Sequence, residues 1–413
     1  MFGKGSLILV LGAVITFSLY QVKLNRAVLA TSDNFNYHYM KTIAHEASSS
    51  AMNYAVNDIW SNNTTNASYY IYTDACTSFV KVTPIGLDSV KAQVKSWTWS
   101  FDNEDPNSRV RLLDSVYAYF SYKTPISEYF WFTHNEGNVY WISGDTCWGP
   151  LHTNSVLKTS GSPVFYGKAT AYQGINPNPA TSSAKFVGGW EIGMEIDIPT
   201  DFTPLLAAAD VGNGAAAMNT KSKYDQVTTF DFQANGDVIR KVGTNPPDTV
   251  ALADIAPTGV LYSKENVRVK GVLNGQLTVF TEKNIYIDDD IVLADNPMTN
   301  PNSTDILGLV AKQNVYVTDN AANNSDCKIQ ASIMAATGKF TAQNYSTRPI
   351  SGKLEIMGSI VQKYRGPVGT FSWWTGSILH GFSKRYRYDP RLQNIHAPYY
   401  PFLRSLKLVS WWE

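Results

Sequence analysis

Charged residues are scarce in this sequence, and neither sign is in excess. Lys, Arg, Asp and Glu make up 16% of the 413 residues, and 34 basic side chains balance 34 acidic ones. A neutral chain has no overall field to attract a polyanion, so the composition argues against nucleic acid as a partner. Aromatic residues reach 13%, and together with abundant Asn, Thr and Ser they favour a β-rich, surface-exposed protein.

Cysteine is rare and odd in number, and the usual signatures of catalysis are missing. Cys76 and Cys147 are a candidate disulfide in an oxidising compartment, and Cys327 is then left unpaired. No two Cys or His residues have metal-ligand spacing. No nucleophile elbow, phosphate loop or pair of catalytic acids occurs. We therefore expect neither a cofactor nor an enzymatic activity.

The N-terminal region lacks residues that break helices. The first proline is Pro84, and no glycine lies between Gly12 and Gly86. Apolar residues dominate from Ser6 to Tyr20, and beyond them apolar side chains recur mostly at four-residue steps, which places them on one helical stripe. This pattern predicts a continuous helix over 6–60, roughly 80 Å long at 1.5 Å per residue. The side chains expected to carry membrane or assembly contacts are Leu7, Leu11, Ile15, Phe17, Leu24, Val28, Phe35, Ile43 and Ile59.

The apolar block permits three fates for the N-terminus. A pilin-type leader would be cut between Gly5 and Ser6, a secretory leader between Ala30 and Thr31, and a simple tether would keep Met1. The block is somewhat short for an ordinary membrane span, which needs roughly 20 apolar residues. For the second half of the helix, an amphipathic helix packed on the following domain is the alternative.

A small β-rich module is expected over 61–136. Lys91–Trp99 and Asp114–Tyr122 alternate apolar and polar residues, which is typical of half-buried strands. Asp102–Asn107 between them has turn chemistry, so we expect the two strands to pair in antiparallel fashion.

A repeat over 258–370 predicts a β-solenoid. Three segments share an apolar pair, a small residue, an Asn and then two alternating apolar residues, with the Asn at Asn266, Asn284 and Asn314. Recurrence of strands at periods near 20 is typical of stacked solenoid rungs. An Asn at a solenoid corner can bond its own turn and the equivalent Asn one rung away, and it tolerates left-handed backbone. The alternative is that hairpins simply share turn chemistry.

The remaining segments are assigned more coarsely. First solenoid rungs are expected over 137–175, and an irregular insertion with a hairpin turn at Ala234–Gly236 over 176–257. The segment 371–413 is expected to be an aromatic C-terminal cap or tail. Its paired tryptophans, Trp373–Trp374 and Trp411–Trp412, would cover the open end of the solenoid or bury in a neighbour.

Three groups of side chains are candidate sites. Asp288, Asp289 and Asp290 are weak calcium candidates, because clustered carboxylates suit a hard cation. A second candidate, for an acid/base or metal site, is formed by His134, Glu136, Asp145 and His152. The simpler interpretation is that these residues lie in solvated turns. The run Lys384–Tyr388 mixes basic and aromatic residues and is interpreted as a solvated edge or a filament contact.

The leader, the apolar helix start and the stretch Thr42–Ala55 resemble the N-terminal helix of type IV pilin-like proteins, especially minor pilins of the PilX kind. The stretches Leu151–Asn154, Gly161–Gly167 and Tyr388–Leu392 resemble large bacterial envelope proteins that join such a helix to a β-rich body of unassigned function. Val10 stands where pilins have a glutamate.

The resemblance implies a structural subunit of a filament or pseudopilus. The helix would sit in the inner membrane before assembly and then pack with copies of itself or with other pilin-like subunits, while the solenoid is displayed outside the cell. The alternative is a membrane-tethered or secreted β-solenoid that binds or cleaves a surface polysaccharide.

Overall fold

The computed structural model describes residues 3–85, 89–101, 109–372 and 377–413. The protein is mainly β with one long N-terminal helix, as the sequence predicts. The chain divides into two compact units. The helix–sheet unit runs up to Thr124 and includes Arg404–Glu413, and the β-body comprises Pro125–Leu403. The turn predicted at Asp102–Asn107 and the pair Trp373–Trp374 lie outside the described residues.

The N-terminal helix forms as predicted. Helix α1 spans Lys4–Asn62, 59 residues, and it ends where Asn63 adopts a left-handed conformation with φ of 56°. Asn tolerates that conformation better than most residues, which explains why the Asn-rich segment terminates the helix.

Antiparallel strands follow the helix. Their bounds are β1 Ala67–Tyr72, β2 Thr77–Ile85, β3 Ser89–Phe101 and β4 Arg109–Pro125. Neighbouring strands pair in sequence order, and the register of β3 with β4 runs from Ser89 opposite Ser121 to Phe101 opposite Arg109. The predicted antiparallel pair is therefore confirmed. The last strand of the chain, β30 (Phe402–Trp412), completes this sheet beside β4.

The second half of α1 packs on this sheet. Its buried face includes Ala51, Met52, Ala55 and Ile59, which join Val80, Val94 and other inward side chains of the sheet in one hydrophobic core. Spacings of three and four residues place these four side chains on one side of the helix. The amphipathic alternative is thus correct for the second half of the helix.

The β-body is built from short strands. They are β5 Trp131–Asn135, β6 Trp141–Ile142, β7 Thr146–Cys147, β8 Leu151–Thr153, β9 Leu157–Ser160, β10 Val164–Phe165, β11 Ala169–Ala171, β12 Ile175–Asn176, β13 Lys185–Phe186, β14 Trp190–Ile192, β15 Lys223–Tyr224, β16 Thr228–Phe232, β17 Asp237–Val242, β18 Asp248–Ala251, β19 Val260–Ser263, β20 Val267–Leu273, β21 Gln276–Thr281, β22 Ile285–Leu293, β23 Ile306–Ala311, β24 Val315–Val317, β25 Cys327–Ala335, β26 Phe340–Ala342, β27 Ile350–Tyr364, β28 Gly369–Phe371 and β29 Ile378–Tyr388. Helices α2 (Thr203–Asn213) and α3 (Leu252–Ile255) and three 3-10 turns (Ile126–Glu128, Ala322–Asn324 and Pro390–Gln393) lie between them.

Parallel pairing dominates the β-body. One long parallel sheet has the strand order β15, β19, β21, β23, β25, β27, β5, β8, β11, β14. A second set of parallel pairs joins β16, β20, β22, β24 and β26. Smaller parallel sheets contain β7, β10 and β13, and β6, β9 and β12.

The chain enters the long sheet in its middle. Strand β5 comes first in sequence, and β8, β11 and β14 extend the sheet towards one edge. The chain then returns to the opposite edge at β15 and adds strands back towards β27, which pairs with β5. Pro125 and Leu403, the ends of the β-body, come together because the amide of Ile126 donates to the carbonyl of Pro401 at 3.1 Å.

A return segment, residues 193–222, connects the two edges. At about 4.8 Å per strand, the nine steps from β14 to β15 cover roughly 43 Å. The segment is tied down on its way, because Asn154 bonds the amide (3.0 Å) and the carbonyl (2.6 Å) of Ile196. Further on, Phe202 stacks on Phe280 at 4.8 Å between ring centroids.

The domain boundaries differ from the prediction at three places. The small sheet ends near Thr124 instead of 136. The hairpin predicted around Ala234–Gly236 forms between β16 and β17, but β16 also pairs in parallel with β20 and belongs to the sheets of the β-body. The C-terminal segment supplies β30, and Trp411 packs against the core of the helix–sheet unit rather than capping the β-body.

Candidate functional site

The first half of α1 is apolar and exposed. The side chains at Leu7, Leu11, Ile15, Phe17, Leu24, Val28 and Phe35 are between 51% and 68% exposed. Ile43 is half-buried, and Ile59 is buried in the core that α1 shares with the sheet of its own unit. The helix is long and apolar enough near its N-terminus to cross a membrane, and a membrane anchor or a signal sequence has these properties.

The three repeated asparagines form a hydrogen-bonded ladder. The side-chain amide and the backbone amide of Asn284 both donate to Oδ1 of Asn266 at 3.1 Å. Asn314 makes the same two bonds, also at 3.1 Å, to Oδ1 of Asn284. The predicted bonding between equivalent asparagines is confirmed. The expected left-handed backbone is wrong, because none of the three has a positive φ.

Substitution of Asn284 by Ala is expected to lower the free energy of unfolding by about 2 kcal/mol, because three side-chain hydrogen bonds are lost at roughly 1 kcal/mol or less each. Asn314→Ala loses two such bonds and should cost less. Denaturant unfolding of the full chain in a non-ionic detergent measures both, with Asn302→Ala at an exposed position as the matched control. A cost for Asn284→Ala no larger than that of the control would contradict the ladder's role.

The calcium candidates do not form a metal site. Asp288 accepts two hydrogen bonds from the Arg268 guanidinium, at 2.7 and 2.6 Å. The side chain of Asp289 accepts from the amide of Asp290, and that of Asp290 from the amide of Lys328. Within the part of the chain that the structure describes, no group of three His, Cys, Asp or Glu side chains is placed to hold a metal. Each of the three carboxylates is held by a different donor, which is why sequence clustering did not produce a metal site.

The candidate disulfide is not formed. Cys76, Cys147 and Cys327 are all free and buried. Cys76 lies in the helix–sheet unit and Cys147 in the β-body. Burial raises the pKa of the Cys147 thiol to about 12, and the thiol lies 3.4 Å from the carbonyl oxygen of Gly149. Such a protonated, enclosed thiol is a packing group and not a nucleophile.

The His, Glu and Asp cluster separates into two buried networks. His152 bonds Thr170 at 2.7 Å and Asn154 at 2.8 Å, and Asn154 also bonds His134 at 2.9 Å. Burial lowers the pKa of His152, which favours the neutral ring. These histidines tie the return segment to β8 through Asn154, so their role is structural.

Glu136 belongs to the second network. Its carboxylate accepts from Arg365 Nη1 at 2.5 Å and from Trp131 Nε1 at 3.2 Å. The side chains of Arg365 and Glu136 are 3% and 1% exposed, so the ion pair is almost fully removed from water. Asp145 is not part of this pair and instead accepts from the amide of Ile142 at 2.9 Å.

A groove of about 730 Å³ lies beside this ion pair, within the β-body. Its aromatic lining consists of Trp131, Trp141, Trp148, Tyr386 and Tyr388. Trp131 meets Trp141 edge to face with centroids 5.5 Å apart and stacks on Tyr386 at 6.0 Å. We call this feature the aromatic groove.

The aromatic groove is also cationic. Its lining includes Lys328, Arg365, Lys384, Arg385 and Arg387, against two acidic side chains, Asp145 and Glu355. Arg365 lies over Trp141 with its guanidinium carbon 4.8 Å from the ring centroid. Burial, with a smaller contribution from Arg365, lowers the pKa of Lys384 to about 8. A half-buried amine with a lowered pKa at a concave surface is typical of a binding site.

An exposed strip extends from the aromatic groove along successive strands. Trp148, Tyr166 and Val187 directly follow the aligned residues Cys147, Phe165 and Phe186 of β7, β10 and β13. They are 54%, 42% and 65% exposed. Trp148 and Tyr166 stack with centroids 4.1 Å apart and ring planes 12° from parallel.

Only one local signal in the sequence points to the aromatic groove. The run Lys384–Tyr388 supplies one wall, and its interpretation as a solvated edge is wrong for the half-buried Lys384 and Tyr386 and for the buried Tyr388. The opposite wall comes from Trp131, Trp141 and Trp148, more than 230 positions earlier. The pairing of β27 with β5 brings these distant segments to the same side of the long sheet.

Comparison of the chain with protein-family models, curated proteins and solved structures finds no match. The function therefore has to be argued from the helix and the β-body themselves.

Proposed function

We propose that the protein is a structural subunit of a type IV pilin-like filament or pseudopilus. Its helix is inserted in the inner membrane before assembly and then packs with the helices of other subunits, while the β-body is displayed outside the cell. The observation that supports this most is the contrast within α1. One half is covered by its own sheet, and the other half is exposed and begins with the predominantly apolar stretch from Ser6 to Tyr20.

The exposed half needs a covering. Fully burying a Leu, Ile or Phe side chain is worth about 1.5–3 kcal/mol, so a row of exposed ones strongly favours lipid or neighbouring helices over water. The uncharged stretch Gly5–Val22 extends roughly 27 Å as a helix, close to the thickness of a bilayer core. The hydroxyl of Thr16 donates to the carbonyl of Gly12 at 2.8 Å, which satisfies this polar group inside the helix.

We further infer that the β-body is a β-solenoid. Parallel pairing of alternate strands and the Asn266–Asn284–Asn314 ladder support this inference, because each turn of a solenoid places the same side chain above its predecessor. A solenoid is a rigid element suited to display at a cell surface.

Cysteine cross-linking in the native producing cells tests the filament proposal. The native thiols are buried, so a cysteine introduced at Val28 or at Tyr37 reports on helix contacts alone. These positions face opposite sides of α1, because nine residues correspond to two and a half turns. Mild oxidation is expected to give disulfide-linked dimers for each variant, because one accessible cysteine per subunit forms one disulfide, and none for the exposed control Ser346→Cys. Membrane-bound monomers at both positions would contradict a filament and favour a tethered body.

The second candidate function is a membrane-tethered or secreted body that binds or cleaves a surface polysaccharide. The aromatic groove and its exposed strip favour binding, because flat aromatic faces and a few polar groups are what a concave ligand site requires. This function is compatible with either an assembled or a tethered protein.

A further inference from the structure

We propose that the aromatic groove binds an acidic oligosaccharide, that is, a chain of pyranose rings carrying carboxylates. The inference goes beyond the filament proposal and does not depend on it, since every residue that carries it lies in the β-body.

The aromatic rings explain the sugar. The exposed Trp148 and the half-buried Tyr386 supply apolar ring surface in a concave site, and the C–H face of a pyranose ring is the apolar surface that packs on such rings. Trp131 and Trp141 are only 3% and 6% exposed and belong to the hydrophobic core. The exposed strip of Trp148, Tyr166 and Val187 continues outwards from the groove at the spacing of neighbouring strands, about 4.8 Å. A ligand longer than one ring can use both surfaces.

The cations explain the acidic groups. Lys328, Lys384, Arg385 and Arg387 have no ion pair with any carboxylate in the described part of the chain, although they line the groove with Arg365. Alternation along β29 separates Lys384 from the exposed Arg385 and Arg387, so these cations border the groove from both faces of the strand. Unpaired cations that border one concavity attract an anion and discriminate against neutral ligands. The aromatic groove therefore combines the two requirements of a uronate chain.

Buried polar atoms point to missing partners. Arg365 Nη2, Trp141 Nε1 and the hydroxyl of Tyr388 are buried without a hydrogen-bond partner among the described residues, and all three side chains line the groove. A buried donor left without a partner is destabilising. Carboxylate and hydroxyl oxygens of a bound sugar are acceptors of the kind that these donors lack.

Nucleic acid is disfavoured as the occupant. The chain as a whole is neutral, and the cations of the aromatic groove are local, whereas binding of a nucleic-acid backbone draws on extended positive surface. An oligonucleotide is therefore included as a competitor in the test.

Isothermal titration calorimetry of the full chain in detergent micelles tests the proposal. The ligands are tetragalacturonate and the corresponding oligomers of glucuronate, mannuronate and sialic acid. At least one acidic oligomer is expected to bind, and its methyl ester to bind at least tenfold more weakly. Lys384→Gln and Arg387→Gln should each weaken binding about tenfold. Lys312 is an exposed residue of the β-body that does not line the groove, so Lys312→Gln should leave binding unchanged.

Several outcomes overturn the proposal: no binding by any acidic oligomer, equal binding of acid and ester, equal effects of Lys312→Gln and Lys384→Gln, or tighter binding of an oligonucleotide of equal charge. The titration results do not depend on whether the Val28 cysteine cross-links. Failure of the filament proposal can therefore be told apart from failure of the oligosaccharide proposal.

The pH profile adds an independent readout. Because the pKa of Lys384 is lowered to about 8, raising the pH from 7 to 9 removes its charge and should weaken binding several-fold. Arg365 lowers this pKa, and Asp145 and Glu136 oppose the shift. Lys384→Gln should abolish most of this pH dependence. A variant that keeps the full profile would show that Lys384 does not contact the ligand.

Discussion

Replacement of Leu11 and Ile15 by lysine is expected to remove the protein from the membrane. Both side chains lie near the middle of the uncharged stretch of α1 and are more than half exposed. A lysine near the centre of a membrane helix costs about 2.5–3.5 kcal/mol, so two should shift partitioning by roughly a thousandfold or more. Carbonate extraction of membranes followed by immunoblotting measures the effect.

The control places the same charges elsewhere on the helix. Ser50→Lys with Asn53→Lys adds two exposed lysines to the half of α1 that packs on its sheet, and should leave the protein in the membrane fraction. Retention of the Leu11 and Ile15 variant in extracted membranes would show that another part of the chain holds the protein there.

Substitution of Glu136 by Ala is expected to destabilise the β-body strongly. Arg365 would then be a buried cation without its carboxylate, which typically costs about 3–5 kcal/mol. Each kcal/mol lowers the melting temperature by about 2–4 °C, so the melting temperature of the full chain in detergent should fall by roughly 6–20 °C.

A double variant separates the charge from the packing. Glu136→Met with Arg365→Met leaves no unpaired charge, so it should melt well above Glu136→Ala. The exposed pair of Lys168 and Glu191 provides the surface comparison, and Glu191→Ala should not change the melting temperature measurably. If the double variant has a melting temperature as low as that of Glu136→Ala, lost packing explains the effect rather than the unpaired charge of Arg365.

The features that were predicted from sequence depend on neighbours along the chain. Helix α1 could be predicted because an unbroken apolar period and an Asn-rich stop act locally. The Asn ladder could be predicted because the repeat places equivalent asparagines beside parallel strands in register. The backbone conformation of these asparagines could not be predicted, because a hydrogen-bonded Asn does not have to adopt the left-handed conformation.

Other features depend on long-range pairing that no local pattern contains. Residues Ile360 and Trp131 are neighbours in the long sheet but lie 229 positions apart. The aromatic groove and the Glu136–Arg365 pair follow from that one pairing. The placement of Trp411 depends likewise on β30 joining β4. Asp288, Asp289 and Asp290 have three different donors, one of them an arginine from β20.

The two ends of the β-body lie close together, and this has a consequence for how such a chain evolves. Ile126 and Pro401 are one hydrogen bond apart, and the flanking strands β4 and β30 are neighbours in the sheet of the helix–sheet unit, where Thr124 and Ser405 bond at 2.6 Å. A segment with adjoining ends can be acquired by a host sheet, or exchanged for another, without pulling the host strands apart. The 279 residues of Pro125–Leu403 therefore have the geometry of a segment that can be inserted or exchanged as one unit.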